Sequence, residues 1–171
     1  MAANPLPRIA RRLAQWRWVM RTGPVVMRLE RLSRRLSGGR MGVLDLAGLP
    51  ALELTVPGRK TGIARTTALL YVPLDGDYLV LGSNWGKPAH PVWSANLRAA
   101  ETAVVHAGGE RFRVRVVEVT GPRRRELWDR AVRYWPGYAM ECELSGGREF
   151  RMFELRRIYG AGESGAASST E

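Results

Sequence analysis

The sequence is short of the residues that most enzymes use for chemistry. Its 171 residues include one cysteine, Cys142, and two histidines, His90 and His106. A lone cysteine excludes an internal disulfide framework and suits a reducing compartment. The two histidines lie far apart, with no acid or cysteine at ligand-like spacing, so there is no metal signature and no local Cys–His pair. No G-x-S-x-G elbow occurs. No apolar run reaches the roughly 20 residues of a membrane-spanning helix. Arg17 and Arg21 interrupt the N-terminal stretch where an export signal would need its apolar core. Acid–base, nucleophilic and metal chemistry are all poorly provided for.

Lysine is scarce as well. Of 27 basic residues only Lys60 and Lys87 are lysines. Both lie in glycine-containing loops, PGRKTG and SNWGKP, where a compact ammonium is not interchangeable with a guanidinium fork. The formal net charge of +11 is unevenly spread. Residues 1–40 hold ten arginines and one acid, Glu30, so the charge belongs to an N-terminal arm rather than to the domain after it.

That arm reads as two amphipathic helices. Ile9, Leu13, Trp16 and Met20 recur at helical spacing over 8–20, and Val25, Leu29, Leu32 and Leu36 repeat the pattern from Pro24 until Gly38-Gly39. Its apolar stripes suit packing on the domain. With a basic face opposite, they equally suit an anionic membrane surface. No aromatic stacking surface lies beside the arm, which argues against nucleic acid. The expected location is cytoplasmic, with the inner face of the plasma membrane as the surface the arm would meet.

From Leu52 the texture changes to short alternating or β-branched runs: LELTV, TTALLYVPL, DYLVLGS, TAVVHA, RFRVRVVEV and RMFELRRI. Pro57-Gly58, Asp75-Gly76-Asp77 and Gly108-Gly109 punctuate them as hairpin turns. Helices are expected from about Pro88 to Ala99 and from Pro122. The fold class is therefore α+β: a small barrel of about six antiparallel strands, a few helices and the N-terminal arm. The domain spans 41–158, and the small polar tail over 159–171 reads as disordered.

Two loops carry donors. TVPGRKTGIART offers Arg59, Lys60 and the Thr61 hydroxyl, with Arg65, Thr66 and Thr67 opening the next strand. It is not a nucleotide P-loop: Arg59 precedes Lys60, Leu54 stands at the first glycine position, and a strand follows. The second loop, LGSNWGKPAHPVW, leaves a strand with Gly82, Ser83 and Asn84 and enters a helix near Pro88, a setting that favours an anion. If the strands around these loops are neighbours, both converge on one phosphate-bearing ligand. Among the aromatics, Trp93 and Trp128 read as packing residues. The YWPGY turn reads either as a cap over a flat ligand or as a packed turn at the barrel end.

The order LTVPGRKTGIARTTALLYV, YLVLGSNWGKPAHPVWSANLRA, RYWPGYAME and REFRMFEL, covering roughly residues 50–158, resembles the deazaflavin (coenzyme F420)-dependent nitroreductase and quinone reductase family. The resemblance implies a split β-barrel related to that of flavin mononucleotide-binding oxidases. It implies that Arg59, Lys60, Thr61 and Arg65 hold the coenzyme's phosphate and acidic oligoglutamate tail, with Thr66, Thr67, Gly82 and Lys87 in the same cofactor set. Ser83 and Asn84 would bond the ring or its side chain, and Val92 and Trp93 would lie against it. Trp135, Tyr138 and Glu141 would line the substrate side, with Ser83 and Tyr138 as catalytic candidates. The reaction implied is hydride transfer from reduced F420 to a small-molecule acceptor, a quinone or other conjugated compound ahead of a nitro compound. That cofactor would account for the missing acid–base pair. Two departures stand out: Glu141 occupies a place where family members often carry a tyrosine, and Asn84 one where some carry a lysine. A non-catalytic coenzyme carrier, a membrane-associated module, and a flavin mononucleotide or haem protein on the same barrel remain as other readings.

Overall fold

The computed structural model describes residues 50–159 and, ahead of them, helical backbone at Val25, Arg28, Leu29, Leu32, Ser33 and Leu36. The expected helix over 8–20, the remainder of the arm and the tail from Gly160 lie outside the described residues. Seven strands form one antiparallel sheet: β1 (Ala51–Pro57), β2 (Ala64–Leu70), β3 (Val72–Leu74), β4 (Asp77–Leu81), β5 (Thr102–Ala107), β6 (Glu110–Glu118) and β7 (Met152–Arg157). Within residues 50–159 three α-helices accompany it: α1 (Val92–Arg98), α2 (Pro122–Tyr134) and α3 (Gly137–Leu144).

The strand order, β2-β1-β5-β6-β7-β4-β3, dictates the shape. β2 and β3 stand at opposite ends of the sheet, yet only Tyr71 separates Leu70 from Val72. Two peptide units span at most about 7 Å, so the sheet must curl until its ends meet. The result is a split half-barrel.

TTALLYVPL, expected as one strand, divides at Tyr71, giving seven strands among the described residues rather than six. Leu70 pairs with Ala51 in the β1–β2 ladder, whereas Val72 pairs with Leu79 in the β3–β4 ladder. Between them the Tyr71 amide donates to the Pro50 carbonyl. Pro73 lacks an amide hydrogen and is tolerated because β3 is an edge strand.

Two apolar clusters fill the two faces. One packs Leu52, Leu54, Val56, Val80, Val105, Val114, Phe153 and Leu155 with Leu97 of α1. The other packs Leu79, Leu81, Val119, Phe150 and Met152 against Leu127 and Ala131 of α2 and against Trp135 and Tyr138. Alternation along a strand sends Leu79 and Leu81 one way and Val80 the other, so β4 is apolar on both faces. In β7 the same alternation puts Glu154 among the ion pairs of Arg123 and Arg156. Burial raises that carboxyl, but the two guanidinium partners outweigh it and leave it below its ordinary value.

Candidate functional site

The β1–β2 hairpin turns through a tight loop. The Gly58 amide donates to the Ile63 carbonyl, and the Thr61 and Gly62 amides both donate to the Gly58 carbonyl. Gly62 sits at φ +68°, a conformation glycine adopts without a Cβ penalty. A Cβ at Gly58 would come within 2.9 Å of Thr61 Oγ1, so the glycine keeps the loop's inner wall close. The loop is anchored across the fold: the Arg59 amide donates to Asn96 Oδ1 of α1 at 3.2 Å.

Between hairpin and helix lies a cleft of about 430 Å³, lined by Gly58, Arg59, Lys60, Thr61, Arg65 and Thr67 on one side and Val92, Trp93 and Asn96 on the other. Val92 and Asn96 are four residues apart and so share one helix face. Strand alternation explains which hairpin residues take part. Arg65 and Thr67 face the cleft, while Thr66 turns the other way and meets Thr55, Oγ1 to Oγ1 at 2.7 Å. Among the described residues, no acid pairs with Arg59, Lys60 or Arg65, although seven other ion pairs form elsewhere. Three cations without a partner at one concave wall suit a polyanion.

The second loop lies apart from that lining. Gly82 leaves β4, and Ser83 opens a short turn over Asn84–Gly86. Asn84, Trp85 and Gly86 all have positive φ, at 54°, 57° and 70°. Three consecutive left-handed residues, one of them a tryptophan, are costly and persist only where surroundings enforce them. Gly86 is enforced by close approach, since a Cβ there would come within 2.8 Å of Leu144 Cβ. Asn84 Nδ2 donates to the Ala89 carbonyl at 2.8 Å. The helix expected from Pro88 begins instead at Val92, because a residue ahead of proline avoids the helical region and Pro91 follows His90. Lys87 therefore sits in an exposed loop, not at a helix start.

Sequence reasoning missed what holds this loop. Arg148, beyond α3, donates to the carbonyls of Gly82, Ser83 and Lys87 and to His90 Nδ1. Burial, then the Arg151 and Arg148 charges, holds His90 below its ordinary value, which leaves Nδ1 free to accept. Asn96 was missed too, although its i,i+4 spacing from Val92 was a usable signal.

YWPGY is not an open turn. Pro136 caps α3, and Trp135 and Tyr138 enter the second apolar cluster, both buried. A Cβ at Gly137 would meet Trp135 Nε1 at 2.5 Å, so the indole lies directly over this glycine. Burial, then the Glu141 carboxyl, pushes the Tyr138 hydroxyl well above its ordinary value. Glu141 is 5% exposed. The Ser83 hydroxyl and the Trp85 and Gly86 amides face its carboxyl. None of Ser83, Asn84, Trp135, Tyr138 and Glu141 lines the 430 Å³ cleft.

A curled antiparallel half-barrel whose hairpin loop and flanking helix enclose a cationic cleft is a split barrel with a site suited to an anionic ligand. Residues 26–146 match the F420H(2)-dependent quinone reductase family. The chain belongs to that family, and so to the oxidoreductases that use reduced coenzyme F420. It is 36% identical over 116 residues to an F420H(2)-dependent quinone reductase of Mycobacterium tuberculosis strain H37Rv, covering 66% of this chain and 77% of that relative. Among solved structures, an F420-H2 dependent reductase, FDR-A, superposes with a TM-score of 0.57 at 30% identity, over 63% of this chain and 94% of that one.

Proposed function

We propose that this chain passes hydride from reduced F420 to a quinone-type acceptor, with the β1–β2 hairpin as the clamp on the coenzyme's phosphate and acidic tail. The observation that carries the reading is the convergence of Arg59, Lys60 and Arg65 on one cleft without an acid partner among the described residues. The donor set fits the group: cations for a polyanion, the Thr61 and Thr67 hydroxyls for phosphate oxygens, and Val92 and Trp93 as an apolar wall. When bound, the deazaflavin supplies the hydride. The protein's part is to hold, orient and dry the reacting atoms. Trp93, packed on Phe153 at 6.3 Å between ring centroids, gives that wall a fixed backing. With the acidic tail clamped at the hairpin, Ser83, which lies outside the cleft lining, would meet the ring end of the coenzyme and hold a proton near the reacting carbonyl. Trp135 and Tyr138 would act from behind, by fixing α3 under the Ser83 loop.

A fluorescence titration of the full chain with F420 tests this. Binding at micromolar concentration that weakens steeply with salt, and weakens further in R59A/K60A, supports the clamp. Affinity unchanged in the double variant removes it. Menadione turnover, followed by reoxidation of the coenzyme, separates an enzyme from a carrier.

One further observation bears on the arm. Val25, Leu29, Leu32 and Leu36, one stripe at helical spacing, are all exposed, Leu36 by 81%. With ten arginines in residues 1–40, that stripe suits peripheral contact with an anionic membrane. Among the described residues no helix is long and apolar enough to cross a membrane.

A further inference from the structure

Two carboxyls are buried among the described residues; Glu154 is held by Arg123 and Arg156, whereas the role of Glu141 is explained neither by an ion pair nor by the coenzyme clamp. Glu141 lies on α3 beneath the left-handed turn at Asn84–Gly86, and its Oε2 has no hydrogen-bond partner. A buried carboxylate oxygen without a donor is costly, and a neutral, protonated carboxyl there costs much less. The turn is pressed onto it: a Cβ on Gly86 would lie 3.1 Å from the Glu141 carbonyl oxygen and 3.3 Å from its Cα. The Ser83 hydroxyl and the Trp85 and Gly86 amides are the neighbours that pull the Glu141 carboxyl down against the effect of burial. Arg148 locks the arrangement from the other side through the Ser83 carbonyl at 2.8 Å.

We propose that Glu141 stores the proton that accompanies hydride transfer and passes it on through the Ser83 hydroxyl. The proposal rests on the hydride-transfer reading above. Glu141 acts through Ser83, so it is a positioning residue rather than a catalytic one.

The step balances as follows. A quinone-type acceptor gains two electrons with the hydride and needs one proton on oxygen. Ser83 gives that proton while taking the Glu141 carboxyl proton. One O–H bond forms on the acceptor, the serine O–H is broken and remade, and the carboxyl O–H is broken. The carboxylate left behind meets the Trp85 and Gly86 amides and the Arg148 charge. It then recovers a proton from water, matched by the proton the coenzyme sheds on oxidation. All electrons come from the reduced coenzyme.

The surroundings tune the store to neutral pH. Burial pushes Glu141 up to about 7, against the opposing pull of Ser83, the Trp85 and Gly86 amides and Arg148. Tyr138, one turn back on α3, stays neutral and adds no charge. Cys142 and Arg151 act on Arg148 rather than on the carboxyl directly.

The test compares wild type with Glu141→Gln in the full chain. With menadione at saturating coenzyme, the wild-type rate should fall as pH rises through about 7. E141Q should lose this step and about tenfold or more of the rate at pH ~6. Methylene blue, a cation that takes hydride without a proton, is the control; its reduction should fall by less than about threefold. Equal losses on both acceptors, or a retained pH step, overturn the proposal. In coenzyme-free protein, an infrared carboxyl band should titrate near neutrality and vanish in E141Q; titration in the ordinary carboxylate range also overturns it. Should E141Q not fold, Ser83→Ala carries the same comparison of acceptors. If wild type does not bind F420, the function reading itself falls and takes this step with it. Wild-type turnover with E141Q unaltered removes the Glu141 step alone.

Discussion

The Arg59 backbone amide donates to Asn96 Oδ1, so a buried side chain on α1 fixes a loop that begins on β1. The two walls of the cationic cleft are thereby tied at one point. Replacing Asn96 by Ala leaves the Arg59 amide unpaired at the cleft wall. We expect a stability loss of about 1–2 kcal/mol and a drop of about tenfold in F420 affinity. Calorimetry and coenzyme fluorescence check the two effects. A stability loss without an affinity loss would show that the tie does not shape the cleft.

Lys60 is one of two lysines in a chain that otherwise uses arginine. Lys60→Arg keeps the charge but replaces a compact donor with a broad planar fork. Affinity for F420 should fall by about twofold, less than in K60A, which loses roughly 0.5–1.5 kcal/mol at such an exposed site. Parallel titrations at low and high salt distinguish charge from shape. Equal affinity for K60R and wild type would mean that charge alone matters.

Arg148 holds three carbonyls and a histidine nitrogen of the 82–90 loop. Arg148→Ala should cost about 2–4 kcal/mol, since several charged hydrogen bonds go and their acceptors lose their donor. Hydrogen exchange should then quicken at residues 82–90 while the β1–β2 hairpin stays protected. Uniform loss of protection over the whole barrel would argue against a local clamp.

Stability should depend on pH through Glu141 in a fixed direction. Its folded value, about 7, lies above the unfolded value of 4.5. Between these pH values the native state holds a proton that the unfolded chain has released. Stability therefore falls as pH rises across that window and levels off above it, by roughly 3 kcal/mol at most. Glu154 works in the opposite sense, since its lowered value makes its contribution fade in acid. Melting temperatures of wild type and E141Q from pH ~4.5 to ~8 should diverge across the window. Parallel curves would remove Glu141 as the titrating group.

For the arm, co-sedimentation with anionic vesicles should be salt-sensitive and lost when residues 1–40 are removed. Equal sedimentation of the shortened chain would move the contact to the barrel.

Local chemistry was easy to read from the sequence, and tertiary enforcement was not. Gly58, Gly62 and the residues between them announced a donor-rich hairpin, and the loop turns as its glycines require. Thr66 shows the limit: its type suited the cleft, but strand alternation turned it toward Thr55. Pro136-Gly137 reads locally as a turn, yet it starts α3, because Trp135 over Gly137 and Tyr138 in the core favour helix. The break at Tyr71 was hidden within an unbroken apolar run. Arg148 had no local signal at all. Its role comes from the 58 or more residues that separate it from His90, Ser83 and Gly82 in sequence.

The place of β7 has a consequence for how the chain is made. It is the last of the described strands to be synthesised, yet it pairs with β6 on one side and β4 on the other. Until it leaves the ribosome, the sheet exists as two separate ribbons, β2-β1-β5-β6 and β4-β3, joined through Tyr71. The hairpin clamp can form early, from contacts local in sequence, while the barrel waits for Met152 to pair with Leu81. The nascent chain thus has its coenzyme loop before Phe153 of β7 arrives to back Trp93 on the facing wall.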